Sequence, residues 1–556
     1  MTEFMKAQKE AKKKELEQII ISPECSKFWN ENNRDDFKVV MVQPDKLKTL
    51  KLSAGLQIVA DHIHKSTNVT VDFASLYDKN IMNLYNNKED YITTLFNNWN
   101  VCQSDVIGIG ISNPSIIKNM FEFLEKSNVK ILKKDRTLYK DPFIIAGGLG
   151  VFNPAPFFGF IDAFVMGEGS IAASKIIKKY QQAKKENIPE EQLNKSLARI
   201  KGVYIPKYSK KTKFQTIKDV PNTRRASLFM SDKKALIFAD YSCKFKCSFC
   251  QLSNVRGKYS FQGIEPIKKY LKEFDSIGVK EATIAGGSVT NIPTNKLEEV
   301  FAWGKTNLKT TIPVIRSVRV DDLPRIEKYL DQTEIHIAPE TGSDYLRNNV
   351  MLKGFSNKTI FENISQIAHK ISNVRLYHLV GIPGEKEFDR KLFVNLVEKI
   401  SSILDQHHSQ NLIEIYMYPL LPQPGTPMED YTTIGIKRFQ RYSDQFINEA
   451  KNKIKKSTTI EIHPLEPLWH LLQRITNTGD KKTGELLYEG YLKGNNFESY
   501  TSVCDKHGYH WREYFSNSNK HDNTKAWKNI ITGKESFIET RKEMIKKSIE
   551  GLIDET

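Results

Sequence analysis

Cysteine is scarce in this chain, six in 556 residues, and three of the six crowd into one short stretch. Cys25, Cys102 and Cys504 stand alone. That excludes a dispersed disulfide framework and leaves no set from which a second thiolate cluster could be built. Long apolar runs are also missing. The stretch from Phe143 to Met166 has few charges, but Gly147, Gly148, Gly150, Pro154, Pro156 and Asp162 would break a spanning helix. Buried strands with a glycine turn account for it better. No secretory signal is visible, because residues 1–20 mix Lys and Glu at helical spacing and read as a polar helix. Unpaired thiols fit a reducing, cytoplasmic setting. Acidic residues number 66 against 83 Lys and Arg, a formal net charge of +17. A solvated lysine-rich surface accounts for that excess, and a preference for RNA or another polyanion is the sharper reading. The densest basic stretch, Lys207 to Lys213 with Arg224 and Arg225, falls in a polar connecting segment rather than on an aromatic-studded face.

What the chain does hold is Cys243-Lys-Phe-Lys-Cys247-Ser-Phe249-Cys250, directly after an apolar run, Ala235 to Tyr241, that reads as a β-strand. A zinc ion would ask for a fourth Cys or His nearby, and the next histidine along is His336. Three thiolates in one tight loop can hold three irons of a [4Fe–4S] cluster and leave the fourth iron open to another ligand. The spacing, with an aromatic just before the last cysteine, resembles that of the radical S-adenosylmethionine (SAM) superfamily. The resemblance implies that the open iron chelates the amino and carboxylate groups of SAM. It implies that one electron from the cluster cleaves the sulfonium to a 5′-deoxyadenosyl radical. An electron donor such as flavodoxin or ferredoxin is the implied partner. Methylthiotransferases, whose family carries a second three-cysteine cluster, do not fit the cysteine count.

From Phe37 to about residue 185, strands at Phe37 to Gln43, 69–73, 105–111, 143–146 and 163–166 alternate with helices at 54–64 and 115–127. That rhythm predicts a parallel, doubly wound (Rossmann-like) α/β domain with a ligand crevice at the strand C-termini. Ser112, Gly147, Gly148, Gly167, Glu168 and Gly169 fall there, as crevice lining or as ordinary tight turns. Gly147-Gly148, Asn153-Pro154-Ala-Pro156, Phe160-Ile-Asp162 and Gly167-Glu168-Gly169, in that order, resemble the cobalamin-binding domain of cobalamin-type radical SAM proteins. The histidine of the D-x-H-x-x-G motif is absent after the first strand, where Pro44-Asp45-Lys-Leu47 stands. The resemblance then implies cobalamin without a histidine under the cobalt, or a domain that has lost its cofactor.

Six apolar runs, 235–241, 282–287, 313–319, 333–339, 373–380 and 411–418, separated by helical stretches, predict a partial (β/α)6 barrel with its functional groups at strand C-termini. Gly286-Gly287-Ser288 stands where the family usually shows Gly-Gly-Glu against the SAM amino group, and an uncharged serine makes the weaker contact. The third strand ends at Arg319 and the fourth at Glu340. The resemblance implies an arginine facing the SAM carboxylate and a glutamate meeting the ribose hydroxyls. Read without it, Arg319 is a structural ion pair and Glu340 a helix-start residue. Gly381 and Pro383 resemble the backbone that packs on adenine, and Phe249 is assigned to the same cofactor. Tyr416 and Tyr418 are core residues or radical relays.

The expected organisation is a helical extension over 1–36, a cobalamin-binding-like domain over 37–185, and a basic linker over 186–234. A radical SAM barrel over 235–455 and a helical C-terminal extension over 456–556, closing the barrel mouth, complete it. The expected function is SAM cleavage with hydrogen abstraction, and with cobalamin bound, methyl transfer to an unactivated carbon. A cobalamin-independent RNA-modifying enzyme and a non-enzymatic descendant of the fold are the alternatives.

Overall fold

The computed structural model describes residues 2–18, 20–21, 35–86, 90–216, 224–230, 234–315, 327–329, 333–454, 457–516 and 525–554. Cys25 and Arg319 lie outside the described residues. The first sheet is built from β1 (Asp35–Lys46), β2 (Val69–Leu76), β3 (Val106–Gly110), β4 (Phe143–Gly147), β5 (Ala163–Val165) and β6 (Val203–Tyr204) in the order β2-β1-β3-β4-β5-β6. Every pair is parallel except the last. Val39 to Val42 and Phe143 to Ala146 are buried without interruption, the pattern of strands covered on both faces. Helices Ala54–Ser66 and Ser170–Lys185 lie side by side against them. The strand order reverses between β1 and β3, which puts a crevice at their C-terminal ends.

The domain runs past residue 185, where the sequence suggested a linker. Helix Glu190–Leu197 and β6 continue it, and Gln215 bonds back onto Met166 and Glu168. The opening helix, Glu3–Gln18, is polar as expected yet well anchored: buried Lys12 donates to Thr94 O at 2.8 Å and Asn98 Oδ1 at 3.1 Å.

The second body starts with β7 (Lys234–Phe238), β8 (Glu281–Ala285) and β9 (Ile312–Val314), a parallel three-stranded sheet. A parallel four-stranded sheet follows: β10 (Glu334–Glu340), β11 (Asn373–Val380), β12 (Asn411–Pro419) and β13 (Thr458–Pro464). The barrel therefore has a seventh strand, beyond the residue 455 at which the sequence reading ended it. Along β11 and β12 one face is buried under helices such as Glu387–Leu404, and the other is half-exposed. The half-exposed face carries Arg375, Tyr377, Glu414, Tyr416 and Tyr418. Period-two alternation puts these five on the concave side of the barrel.

The C-terminal extension divides its work. Helices Pro467–Thr478, Lys481–Leu492 and Phe497–Lys506 join the core of the first domain instead of closing the barrel mouth. Asn153 Nδ2 donates to Gly479 O at 2.8 Å, and a Cβ on Gly484 would fall 1.9 Å from Pro156 O. The Asn153 to Pro156 turn is thus a docking corner for these helices. Trp511, Tyr514 and Phe515 are buried there, as is Cys504, whose thiol burial pushes up to about 12. The last helix, Glu535–Asp554, instead packs on the barrel beside the cysteine loop. Gly484→Ala should cost about 1–3 kcal/mol through overpacking, read as a lower urea midpoint by circular dichroism; an unchanged midpoint would show that the corner yields freely.

Candidate functional site

The cysteine loop leaves the barrel at a strained point. Asp240 and Tyr241 pair with Phe261 and Ser260, and Ser242 then takes a left-handed φ of 67°, which turns the chain sharply into the loop. Cys243 is buried, Cys247 and Cys250 are half-buried, and none is in a disulfide. The loop is fastened through its own carbonyls. Asn254 Nδ2 donates to Cys247 O and Cys250 O, both at 2.9 Å, and Lys246 Nζ donates to Cys243 O at 2.9 Å. Ser248 donates to Val350 O at 2.8 Å and Met351 O at 3.0 Å. Asn291 Nδ2 reaches Cys243 Sγ at 3.3 Å. Among the described residues only Glu414, Glu461 and His463 bring three donor atoms within 4.8 Å, and Glu414 is already paired to Arg375 at 2.7 Å. The three thiols are therefore splayed wider than one tetrahedral ion would hold them, which suits a cluster whose irons are separate. Burial pushes the Cys247 thiol up to about 12. Binding iron would offset that cost by holding it as thiolate.

At the end of β8, Gly286 and Gly287 press on the strand that feeds the loop. A Cβ on Gly286 would sit 2.2 Å from Asp240 Oδ1, and one on Gly287 would sit 2.2 Å from Ser242 O and 2.9 Å from Cys243 Cβ. Their smallness is explained by this packing. Ser288 follows in extended conformation. Glu340 closes β10 with a φ of +62°, rare for a residue with a side chain. Its carboxylate accepts from Lys353 Nζ at 2.8 Å, both groups being about nine-tenths buried. Lys353 also lies 5.7 Å over the Phe249 ring. Sequence reading missed this lysine, since it belongs to no strand end but follows a π-helical turn, Leu346–Val350. Phe249 shares an apolar cluster with Ile382, so the cysteine loop and the Gly381 to Pro383 turn do come together. Gly381, with a φ of +83°, is held by Glu385 Oε2 at 2.8 Å.

The crevice of the first sheet opens on this same place. A cavity of about 520 Å³ is lined by Gln43, Gly55, Ser112, Gly147, Gly148 and Gly167 to Gly169 on one side, and by Arg225, Phe238, Asp240, Tyr241 and Arg256 on the other. Its glycines differ in meaning. Gly148 and Gly167 have φ of +111° and +105°, and a Cβ would fall 2.2 Å from Ile111 O and 2.1 Å from Gln215 O, so they answer to the protein's own backbone. Around Gly55 nothing lies within 4 Å. Glu168 bonds Ser170 N and Oγ at 3.1 and 2.7 Å, while burial raises its pKa against the pull of Arg225 and Arg256. Asp240 is pushed up to about 7 by burial, with Gly287 N–H donating to Oδ1 at 2.8 Å.

Comparison with known proteins gives two family matches. The model described as "Radical SAM proteins, N-terminal" matches residues 55–206, and that described as "Radical SAM superfamily" matches residues 241–397. An uncharacterized protein of Methanocaldococcus jannaschii is 24% identical over 430 residues, covering 75% of this chain and 83% of that protein. A tRNA-2-methylthio-N(6)-dimethylallyladenosine synthase of Clostridium botulinum is 26% identical over 222 residues, covering 36% of this chain and 45% of the synthase, so the chain spans less than half of that relative. Among solved structures, the cobalamin-dependent SAM radical enzyme OxsB with aqua-cobalamin bound aligns at TM-score 0.48 and 12% identity, covering 93% of this chain and 81% of that one. TsrM from Kitasatospora setae, a radical SAM methyltransferase with cobalamin and [4Fe-4S] cluster bound, aligns at TM-score 0.37 and 12% identity, over 76% and 72%.

The strained Glu340 backbone rests on His378. Its Nδ1 lies 2.8 Å from Glu340 O, a group that only accepts, so Nδ1 carries the proton and Nε2 accepts from the Tyr442 hydroxyl at 2.9 Å. The ring stacks on Phe393 at 3.8 Å, and burial lowers its pKa to about 4. The unfolded chain, titrating near 6.5, then binds more protons than the folded one between these values, so stability rises with pH across that window. Full above about pH 6.5, this contribution should fall by on the order of 3 kcal/mol toward pH 4. His378→Phe should flatten the pH dependence of the urea midpoint over that range; curves parallel to wild type would refute the assignment.

Proposed function

Because this chain belongs to the radical SAM superfamily, we propose that it cleaves S-adenosylmethionine at a [4Fe–4S] cluster held by Cys243, Cys247 and Cys250. With cobalamin in the cavity between its two bodies, we propose that it methylates an unactivated carbon. The observation that carries this reading is a shared wall. Asp240 and Tyr241 line the cavity of the first domain, and Asp240 also bonds the Gly287 loop of the barrel. On this reading the two cofactors would lie back to back across Asp240.

When bound, the cluster supplies the electron for reductive cleavage of SAM, and cobalamin supplies a methyl group. The chain's own residues position and shield. Glu340 has two oxygens, one on Lys353 and one for a ribose hydroxyl. Phe249 and Ile382 offer an apolar shelf for an adenine. Tyr377, Tyr416 and Tyr418 face the concave side, where a substrate would enter. Helix Glu535–Asp554 packs beside the cysteine loop, Arg541 donating to Lys246 O, while Lys534 just before the helix donates to Ser253 O. Among the described residues no histidine lines the cavity, so cobalamin there would be held without an imidazole from this wall.

A second reading, an RNA-modifying enzyme without cobalamin, is favoured by a surface groove of about 610 Å³. Lys175, Lys178, Lys179, Arg199 and Lys201 line it without an acidic residue. Cobalt-free protein that binds tRNA with a steep salt dependence would favour it over methyl transfer.

Cys247→Ala should remove the broad visible iron–sulfur absorption of the anaerobically reconstituted protein and abolish formation of 5′-deoxyadenosine; retained turnover would sink the cluster assignment. Gly55→Phe, at a position where a Cβ would meet nothing within 4 Å, should narrow the cavity and weaken cobalamin retention roughly tenfold or more, with iron content unchanged. Cobalamin bound equally well by that variant would place the cofactor elsewhere.

A further inference from the structure

Position 288 carries a serine at the end of β8, so the loop that flanks the first cluster cysteine brings no carboxylate of its own. The nearest carboxylate among the described residues is that of Asp240, packed against the glycine pair. Gly287 N–H donates to its Oδ1 at 2.8 Å, and both oxygens lie within 3 Å of where a Gly286 side chain would begin. Gly287 in turn abuts Cys243, with 2.9 Å from its would-be Cβ to the cysteine Cβ. The carboxylate, the glycine pair and the cluster ligand thus form one contact set. Within it two acceptors are buried without a hydrogen-bond partner among the described residues, Asp240 Oδ2 and Asn291 Oδ1. The Asn291 amide is shared between Cys243 Sγ, at 3.3 Å, and the Asp240 carboxylate, so it leaves Asn291 Oδ1 without a donor and Asp240 with only part of its acceptor capacity used. Buried acceptors without donors are costly. Two of them beside a cluster ligand call for a group rich in N–H.

We propose that Asp240, assisted by Asn291, receives the N–H groups of the α-amino end of S-adenosylmethionine, the task an uncharged Ser288 performs weakly. The inference rests on the reading that SAM binds the open iron, since that chelation is what brings the amino group to this spot. Asp240 is a positioning residue here: its hydrogen bonds fix the amino nitrogen against the cluster, and no bond is made or broken at the carboxylate. Its position also accounts for the glycine at 286, where any side chain would displace the acceptor.

Asp240→Asn tests this in the full chain with the cluster reconstituted, because asparagine keeps an oxygen for Gly287 N–H. Two unreactive probes separate the possibilities: S-adenosylhomocysteine, which has the amino acid end, and 5′-methylthioadenosine, which lacks it. Equilibrium dialysis should show S-adenosylhomocysteine bound roughly 10- to 100-fold more weakly by the variant, the worth of a hydrogen bond to a charged group. Methylthioadenosine affinity should be unchanged. Adding Ser288→Glu should recover most of the loss. Equal weakening of both probes, no weakening of either, or loss of cobalamin alone would overturn the proposal. Failure of the underlying reading looks different: wild-type protein would take up no iron, or would bind neither probe.

Discussion

Three sulfurs must be held apart on a loop of eight residues while one side of whatever they bind stays open. The chain meets this by spending its carbonyls and small residues, not its bulk. Asn254 and Lys246 tie down the carbonyls of all three cysteines, and Ser248 fixes the middle of the loop to the turn after Glu340. Gly286 and Gly287 let a neighbouring strand end close on the loop's base. The remaining architecture follows from that arrangement. The barrel brings the strand ends together, and the first domain places its crevice against the same corner.

Much of this was legible because it is periodic or local. The strands of the first domain are uninterrupted buried runs, and a parallel sheet requires that pattern, so their order in the chain predicted their architecture. The cysteine spacing is local too, and the chemistry of three thiolates with no fourth ligand can be read from eight letters. Resemblance assigns both Phe249 and the turn at Gly381 and Pro383 to SAM, and Phe249 shares an apolar cluster with Ile382 of that turn.

What escaped sequence reading depends on contacts across long separations. The Asn153 to Pro156 turn looked like part of a ligand site, but its partner is a helix more than 300 residues on, and only the 1.9 Å approach at Gly484 reveals it. The seventh barrel strand, Thr458–Pro464, has alternating polar residues, because as an edge strand it is exposed on one face. In sequence that reads as a connection. Lys353 carries no motif at all. Its importance comes from a π-helical turn that swings it onto Glu340. Gly148 and Gly167 read as crevice lining or as tight turns; both line the cavity, and their left-handed backbones also answer to carbonyls of the same chain. Arg319 falls outside the described residues, so the pairing of Glu340 with Lys353 is the local charge arrangement that the fold displays.

The charges around the loop supply a last argument for an anion at its centre. Burial lowers the pKa of Lys246 and of Arg541, and holds Lys534 down to about 7 with Lys246 beside it. Burial displaces the Cys243 and Cys247 thiols the opposite way, Cys247 up to about 12. Each set alone is penalised for being charged in a dry setting. Cations and thiolates together relieve one another, since a buried charge is tolerated where an opposite one answers it. Lys246 and Arg541 donate to backbone carbonyls of the loop, and Lys534 to that of Ser253 just after it, rather than to carboxylates, which leaves their net positive field unspent. A cube of iron and sulfide bearing three thiolates is a group such a field would favour, and the last helix, which contributes Arg541 and is preceded directly by Lys534, thereby becomes part of the cofactor's electrostatic environment.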